Sequence, residues 1–167
     1  MAVFTAGELY DIAVGIERNG VAYYESLSQL ATDKGLKDTY NQLANMERHH
    51  VDVFQGLRAT ASLDVVVPQA DENEYGSYLK ALIDSSVFTS DKVARDMAKR
   101  ASGPAEALQL ALGAEKDSIL FYTEMRDLVP QRERDAVTKI INEERTHVRD
   151  LSGLKQRYSW TAENERR

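Results

Sequence analysis

Six residues of the 167-residue chain have types and spacings that suit metal binding: Glu17, Glu47, His50, Glu115, Glu144 and His147. They fall into two similar halves. Glu17 precedes Tyr24 by seven residues and is followed by Glu47-Arg48-His49-His50; Glu115 precedes Tyr122 by seven and is followed by Glu144-Arg145-Thr146-His147. Seven residues make two helical turns, and a Glu and a His three apart share one helix face. Carboxylate oxygen and imidazole nitrogen suit Fe, Mn or Co and do not exclude Zn. With both imidazoles neutral, the four glutamates give a charge of -4, which balances two divalent ions. Glutamates can bridge two such ions while each His serves one.

The spacing across each half locates the turns. Glu17 and Glu47 are 30 residues apart with their midpoint at Thr32, inside the turn-forming run Thr32-Asp33-Lys34-Gly35. Glu115 and Glu144 are 29 apart, with the midpoint between Val129 and Pro130. Residues equidistant from the turn of an antiparallel hairpin lie at one height, so each Glu faces its partner. The common level is about 22 Å from either turn at the helical rise.

Apolar residues recurring at three and four predict the helices that carry these groups. The first spans 7–31, with Leu9, Ile12, Ala13, Ile16, Gly20, Tyr23, Tyr24, Leu27 and Leu30 on its stripe. The second spans 36–61, its inner face marked by Tyr40, Leu43, Met46, His50, Val53, Phe54 and Leu57. Residues 62–73 break the pattern; Val65-Val66-Val67 ends at Pro68 and reads as an extended crossover. Shorter helices follow at 75–85 and 90–101, with Thr89 or Ser90 as a cap for the latter. Pro104 starts a long helix to Leu128, and Pro130 opens the last one, to Tyr158. The expected fold is all-α: a four-helix bundle of two antiparallel hairpins with a long, partly helical crossover. Residues 1–158 would form the di-metal domain and 159–167 a polar, fraying C-terminal tail.

Composition excludes several classes. The chain has no cysteine, which rules out disulfides, thiolate zinc and iron–sulfur clusters within it. Lysine and arginine total 21 against 27 acidic residues and are scattered, so no nucleic-acid footprint is expected. No run of 18 apolar residues predicts a membrane span, and the first residues do not read as a secretory signal; a cytoplasmic location is the expectation.

The remaining polar and aromatic residues sort by direction. His49 points about 200° from Glu47 and belongs on the exterior or at an interface. Glu143 points about 100° from Glu144, to the surface or to a supporting place behind the ligands. Tyr24 and Tyr122 are core aromatics whose phenols can donate to ligating carboxylates or pass an electron, the possible catalytic roles outside the ligand set. Tyr23 and Phe121 are packing residues, and Met46 and Met125 fill core.

The two Glu-x-x-His motifs, with Glu17, Glu115 and the paired Glu/Tyr spacings, resemble the rubrerythrin-like branch of the ferritin-like di-iron carboxylate proteins. The likeness covers most of residues 7–158. It implies a ferritin-like bundle, two Fe ions with Mn or Zn possible in their place, bridging by Glu47 and Glu144, and oxygen or peroxide chemistry. It also implies a homo-oligomer such as a homodimer. Peroxidase-type members continue into a rubredoxin-like module with four cysteines, which this chain lacks. They also carry a further glutamate three residues after the third-helix ligand, where this chain has Ser118; the first-hairpin counterpart is Gly20. Both residues are small and leave room for water or a diatomic ligand. The leading expectation is a di-iron oxidoreductase of peroxidase or ferroxidase type. It would react with hydrogen peroxide or dioxygen, using electrons from a separate donor protein. The alternatives are a ferroxidase or iron-handling protein and a structural metal-binding bundle.

Overall fold

Six α-helices account for nearly all of the structure, a computed structural model that describes residues 4–61 and 72–164, with side chains at 72, 73 and 161–164 left out. They are α1 (Ala6–Leu30), α2 (Lys34–Ala59), α3 (Glu72–Asp84), α4 (Asp91–Arg100), α5 (Pro104–Leu128) and α6 (Arg134–Asn164). Local chemistry sets their ends. Thr5 Oγ1 accepts the Glu8 N–H at 3.2 Å while the Glu8 carboxylate accepts the Thr5 N–H at 2.8 Å, a reciprocal cap for α1. Asp33 accepts the Leu36 N–H at 2.8 Å to start α2, and Ser90 accepts the Val93 N–H at 3.2 Å to start α4. Pro104 opens α5, where its missing N–H costs nothing.

The long helices form two antiparallel hairpins, α1 with α2 and α5 with α6, while α4 packs along α1 and α3 against α5. This is the expected four-helix bundle with a partly helical crossover. Two apolar layers hold it together. One, at the α1–α2 turn, gathers Tyr23, Leu27, Leu36, Tyr40, Leu108 and Leu151. The other, at the α5–α6 turn, gathers Leu9, Tyr10, Phe54, Met125, Ile140 and Ile141. Between them lie buried Glu17, Glu47, His50, Glu115, Glu144 and His147.

Several boundaries and faces differ from the sequence expectation. Pro130 does not open the last helix; it precedes a 3-10 turn at Gln131–Glu133, and α6 begins at Arg134. This turn brings Glu133 inward, where its carboxylate accepts the Tyr10 hydroxyl at 2.5 Å. Helix α6 continues past Tyr158 to Asn164, because Thr161-Ala162-Glu163-Asn164 contains no Gly or Pro to stop it. Met46 is exposed and does not fill core, and Leu30 is exposed as well. The inner stripe of α2 runs Leu43, Glu47, His50, Phe54, which puts Met46 about 70° from its centre. Met125 is buried as expected. Most of the extended crossover expected at 62–73, including Val65–Val67, lies outside the described residues.

The Tyr10–Glu133 bond joins the start of α1 to the α5–α6 turn. Glu133 is buried, and its other oxygen has only Arg132, 3.1 Å away, among the described residues. Replacing Tyr10 by Phe keeps the ring but leaves a buried carboxylate short of a donor. The expected loss is about 2 kcal/mol of unfolding free energy. Urea denaturation checks this: a midpoint equal to that of the parent protein would show that the bond contributes nothing.

Candidate metal centre

Each of the four long helices contributes to one central level: Glu17 from α1, Glu47 and His50 from α2, Glu115 from α5, Glu144 and His147 from α6. Their donor atoms form two groups of four, each group lying within 4.8 Å: Glu17, Glu47, His50 and Glu144, and Glu47, Glu115, Glu144 and His147. Glu47 and Glu144 belong to both. His50 Nδ1 lies 2.9 Å from Glu144, 3.4 Å from Glu47 and 3.5 Å from Glu17. His147 Nδ1 lies 2.9 Å from Glu144 and 3.5 Å from both Glu47 and Glu115. The structure thus brings together all six residues that the sequence singled out, and places His49 on the exterior.

The tyrosines cross between the hairpins. Tyr24 of α1 donates its hydroxyl to Glu115 of α5, and Tyr122 of α5 donates to Glu17 of α1 at 2.6 Å. Each phenol lies between its carboxylate and an apolar layer: Tyr24 stacks on Tyr40 at 6.5 Å, and Tyr122 meets Phe54 at 5.0 Å. Tyr23 bonds instead to the Ala107 carbonyl at 2.8 Å, a packing role, and Phe121 sits edge-on to Tyr122 at 5.9 Å.

Two features fill in what the sequence reading left open. His50 Nε2–H donates to Glu143 at 2.8 Å, which leaves the Nδ1 lone pair directed at the carboxylates. The 100° offset of Glu143 from Glu144 aims it at the neighbouring α2, which only the order of helices around the bundle reveals. The second is a cavity of about 40 Å³ beside the centre, lined by Glu17, Gly20, Glu47, Glu115 and Ser118 and roofed by the crossover at Leu82, Ile83 and Phe88. A Cβ on Gly20 would lie 3.2 Å from Glu47 Cγ, so glycine lets this carboxylate pass close to α1. The roof is pinned from both sides: Asn19 donates to the Phe88 carbonyl at 2.9 Å, and the Val87 N–H donates to Asp117 at 2.7 Å.

The electrostatics fit a pair of cations. Burial, then the neighbouring carboxylates, push Glu47 and Glu144 well above the ordinary carboxylate range. Burial alone would lower both imidazoles, but the glutamates that crowd around them raise them. Burial would raise Glu115, yet His147 and its other hydrogen-bond partners bring it down. Glu47 Oε1, Glu144 Oε1 and His50 Nδ1 are buried with no hydrogen-bond partner among the described residues. Buried acceptors left unsatisfied are costly, and two divalent ions would satisfy them and neutralise the four carboxylates together.

Without metal, protons must do that work. A raised carboxyl keeps its proton when folded and loses it near 4.5 when unfolded, so its contribution falls as pH rises. The raised imidazoles act in the same direction, contributing fully below 6.5 and losing that contribution on the way to their folded values. Glu115 shifts downward instead, and its contribution is complete above 4.5 and constant between about pH 6 and pH 8. The chelated protein should therefore melt at a lower temperature at about pH 8 than at about pH 6, with faster amide exchange around residues 17, 47, 115 and 144. The metal-loaded protein should show a flatter profile. A melting temperature that rises with pH after chelation would contradict this account. Substitution separates the histidines: His147→Ala should release one metal preferentially and His49→Ala neither, as read by metal analysis of folded protein.

Comparisons with known proteins bear on the fold and the family. A solved structure from Thermotoga maritima, described as a ferritin-like diiron-carboxylate protein, superposes with a TM-score of 0.73 at 24% identity, covering 93% of this chain and 97% of that one. That likeness establishes the fold. No curated protein matches the chain. The family model described as Rubrerythrin matches residues 8–155, and on that match the chain belongs to the rubrerythrin family.

Proposed function

We propose that this chain is a two-metal oxidoreductase, most simply with two Fe ions, that reduces hydrogen peroxide or dioxygen with electrons from a separate donor protein. The observation that carries the reading is the pair of four-donor groups sharing Glu47 and Glu144 beside a small cavity. When bound, a redox-active metal pair supplies the two electrons that, with two protons, convert one hydrogen peroxide to two waters.

The protein groups have distinct parts in this reaction. Glu47 and Glu144 would help to hold both ions, Glu17 and His50 one of them, and Glu115 and His147 the other. The cavity has room for a reactant of two heavy atoms, and no histidine lines it. Its walls of Ile16, Leu82, Ile83 and Phe121 limit water around the reacting atoms. Burial and the adjacent glutamates hold the Tyr24 and Tyr122 phenols protonated, so each steadies its carboxylate as a hydrogen-bond donor. The same residues support a ferroxidase only if ferrous iron is itself consumed. A cytoplasmic location and assembly into a homodimer are part of the proposal. Among the described residues no helix is long and apolar enough to cross a membrane.

Anaerobic loading with ferrous iron tests the reading. Two irons per chain should bind, and hydrogen peroxide should oxidise them rapidly, with repeated turnover when a reductant is supplied. Continued iron uptake without donor turnover would replace the peroxidase by iron handling. An inert metal pair would leave a structural bundle, and a single tight metal would reject the pair.

A further inference from the structure

The two hairpins repeat each other with an offset that changes by one residue between their first and second helices. Glu115 and Tyr122 follow Glu17 and Tyr24 by 98 residues; Glu144 and His147 follow Glu47 and His50 by 97. Side-chain bonds obey the same relation, since Tyr24 reaches Glu115 as Tyr122 reaches Glu17. The hydrogen bonding behind the two histidines breaks it. Glu143 of α6 accepts the Nε2–H of His50 of α2 at 2.8 Å. The symmetry-related contact would join His147 of α6 to residue 46 of α2, and residue 46 is Met. In agreement, His147 Nε2 is buried and has no hydrogen-bond partner among the described residues.

We propose that Glu143 is a positioning residue that makes the two ion positions unequal, so that the His50 position binds its metal more tightly than the His147 position. The inference rests on the two-metal reading above. A carboxylate behind a ligating imidazole fixes which nitrogen carries the proton, holds the ring in plane with its lone pair aimed at the metal, and makes that nitrogen a stronger donor. His50 has all three advantages. His147 Nε2 has no such partner among the described residues, and the counterpart of Glu143 at residue 46 is Met, whose thioether is at best a weak acceptor. Glu143 is partly exposed, its second oxygen 3.8 Å from Lys139, so changing it leaves the core intact. The inequality gives the pair an order: the His50 position fills first and empties last, and the His147 metal is the more exchangeable.

Titration of the chelated full-length protein with cobalt(II), followed by its visible absorption, tests this without any turnover. Two binding steps should separate by about 10- to 100-fold in affinity, the usual effect of a partner behind a ligating histidine. Glu143→Met should weaken the tight step by about that factor and draw the two together. Met46→Glu should tighten the weak step, and the double exchange should restore the separation in reverse order. His50→Ala and His147→Ala identify which step belongs to which position. Two equal steps in the parent protein, or separated steps indifferent to Glu143→Met, would overturn the inference while leaving the metal pair standing. Failure to bind any cobalt would overturn the two-metal reading itself, and this one with it.

Discussion

Everything in this bundle is arranged around four glutamates that share one buried level. At about 4 Å and an effective dielectric near 20, one like-charge pair opposes folding by about 4 kcal/mol. A few such pairs equal the whole stability of an ordinary domain, about 5–15 kcal/mol. Glu17, Glu47, Glu115 and Glu144 are all buried, so their charge must be cancelled where it lies. His50 and His147 offer at most two positive charges, and only by taking up protons. Two divalent cations would cancel the charge where it lies. The raised Glu47 and Glu144 describe the same constraint from the proton's side.

The architecture around that level follows from having to carry it. Apolar layers on either side, one around Tyr23 and Leu108, the other around Phe54 and Ile141, supply burial that the centre lacks. The tyrosines that link layer to centre cross between hairpins, so each half of the bundle supplies a donor to the other half's carboxylate. The two hairpins are thereby registered by polar bonds as well as by packing. Gly20 completes the arrangement by admitting Glu47 close to α1, where even a Cβ would stand 3.2 Å from its Cγ.

Much of this was legible in the sequence because helices impose one geometry on every residue they contain. Spacings of three and seven put Glu47 with His50 and Glu17 with Tyr24 on single faces, and equal distances from two turns set the common height. The same rule misjudged Met46, since an apolar type at a near-inner position reads as core unless the Glu47 and His50 stripe takes precedence. Features that depend on which helix neighbours which stayed hidden. The bond from Glu143 to His50 needs α6 beside α2, and the Tyr10–Glu133 bond needs the 3-10 turn that Pro130 introduces. The roof of Leu82, Ile83 and Phe88 has no local signature, because its residues earn their role only by where the crossover lies.

That crossover connects the fold to the chemistry. Helix α2 ends at the level where α1 starts, whereas α5 starts beside the α1–α2 turn, so the connection must run the length of the bundle, and here it passes over the α1–α5 face. Gly20 and Ser118 stand on this face between the candidate ligands, and their small side chains leave the space that larger residues would fill. The histidines stand elsewhere, with His50 held from behind by α6. One side of the centre is thus committed to holding its ligands and the other to a small enclosed space. Because the pins to Phe88 and Val87 come from Asn19 and Asp117, each two residues from a candidate ligand, the roof is fastened to the same turns that position Glu17 and Glu115. Access and ligand geometry are therefore mechanically one feature, and a change in the crossover would be felt at the carboxylates.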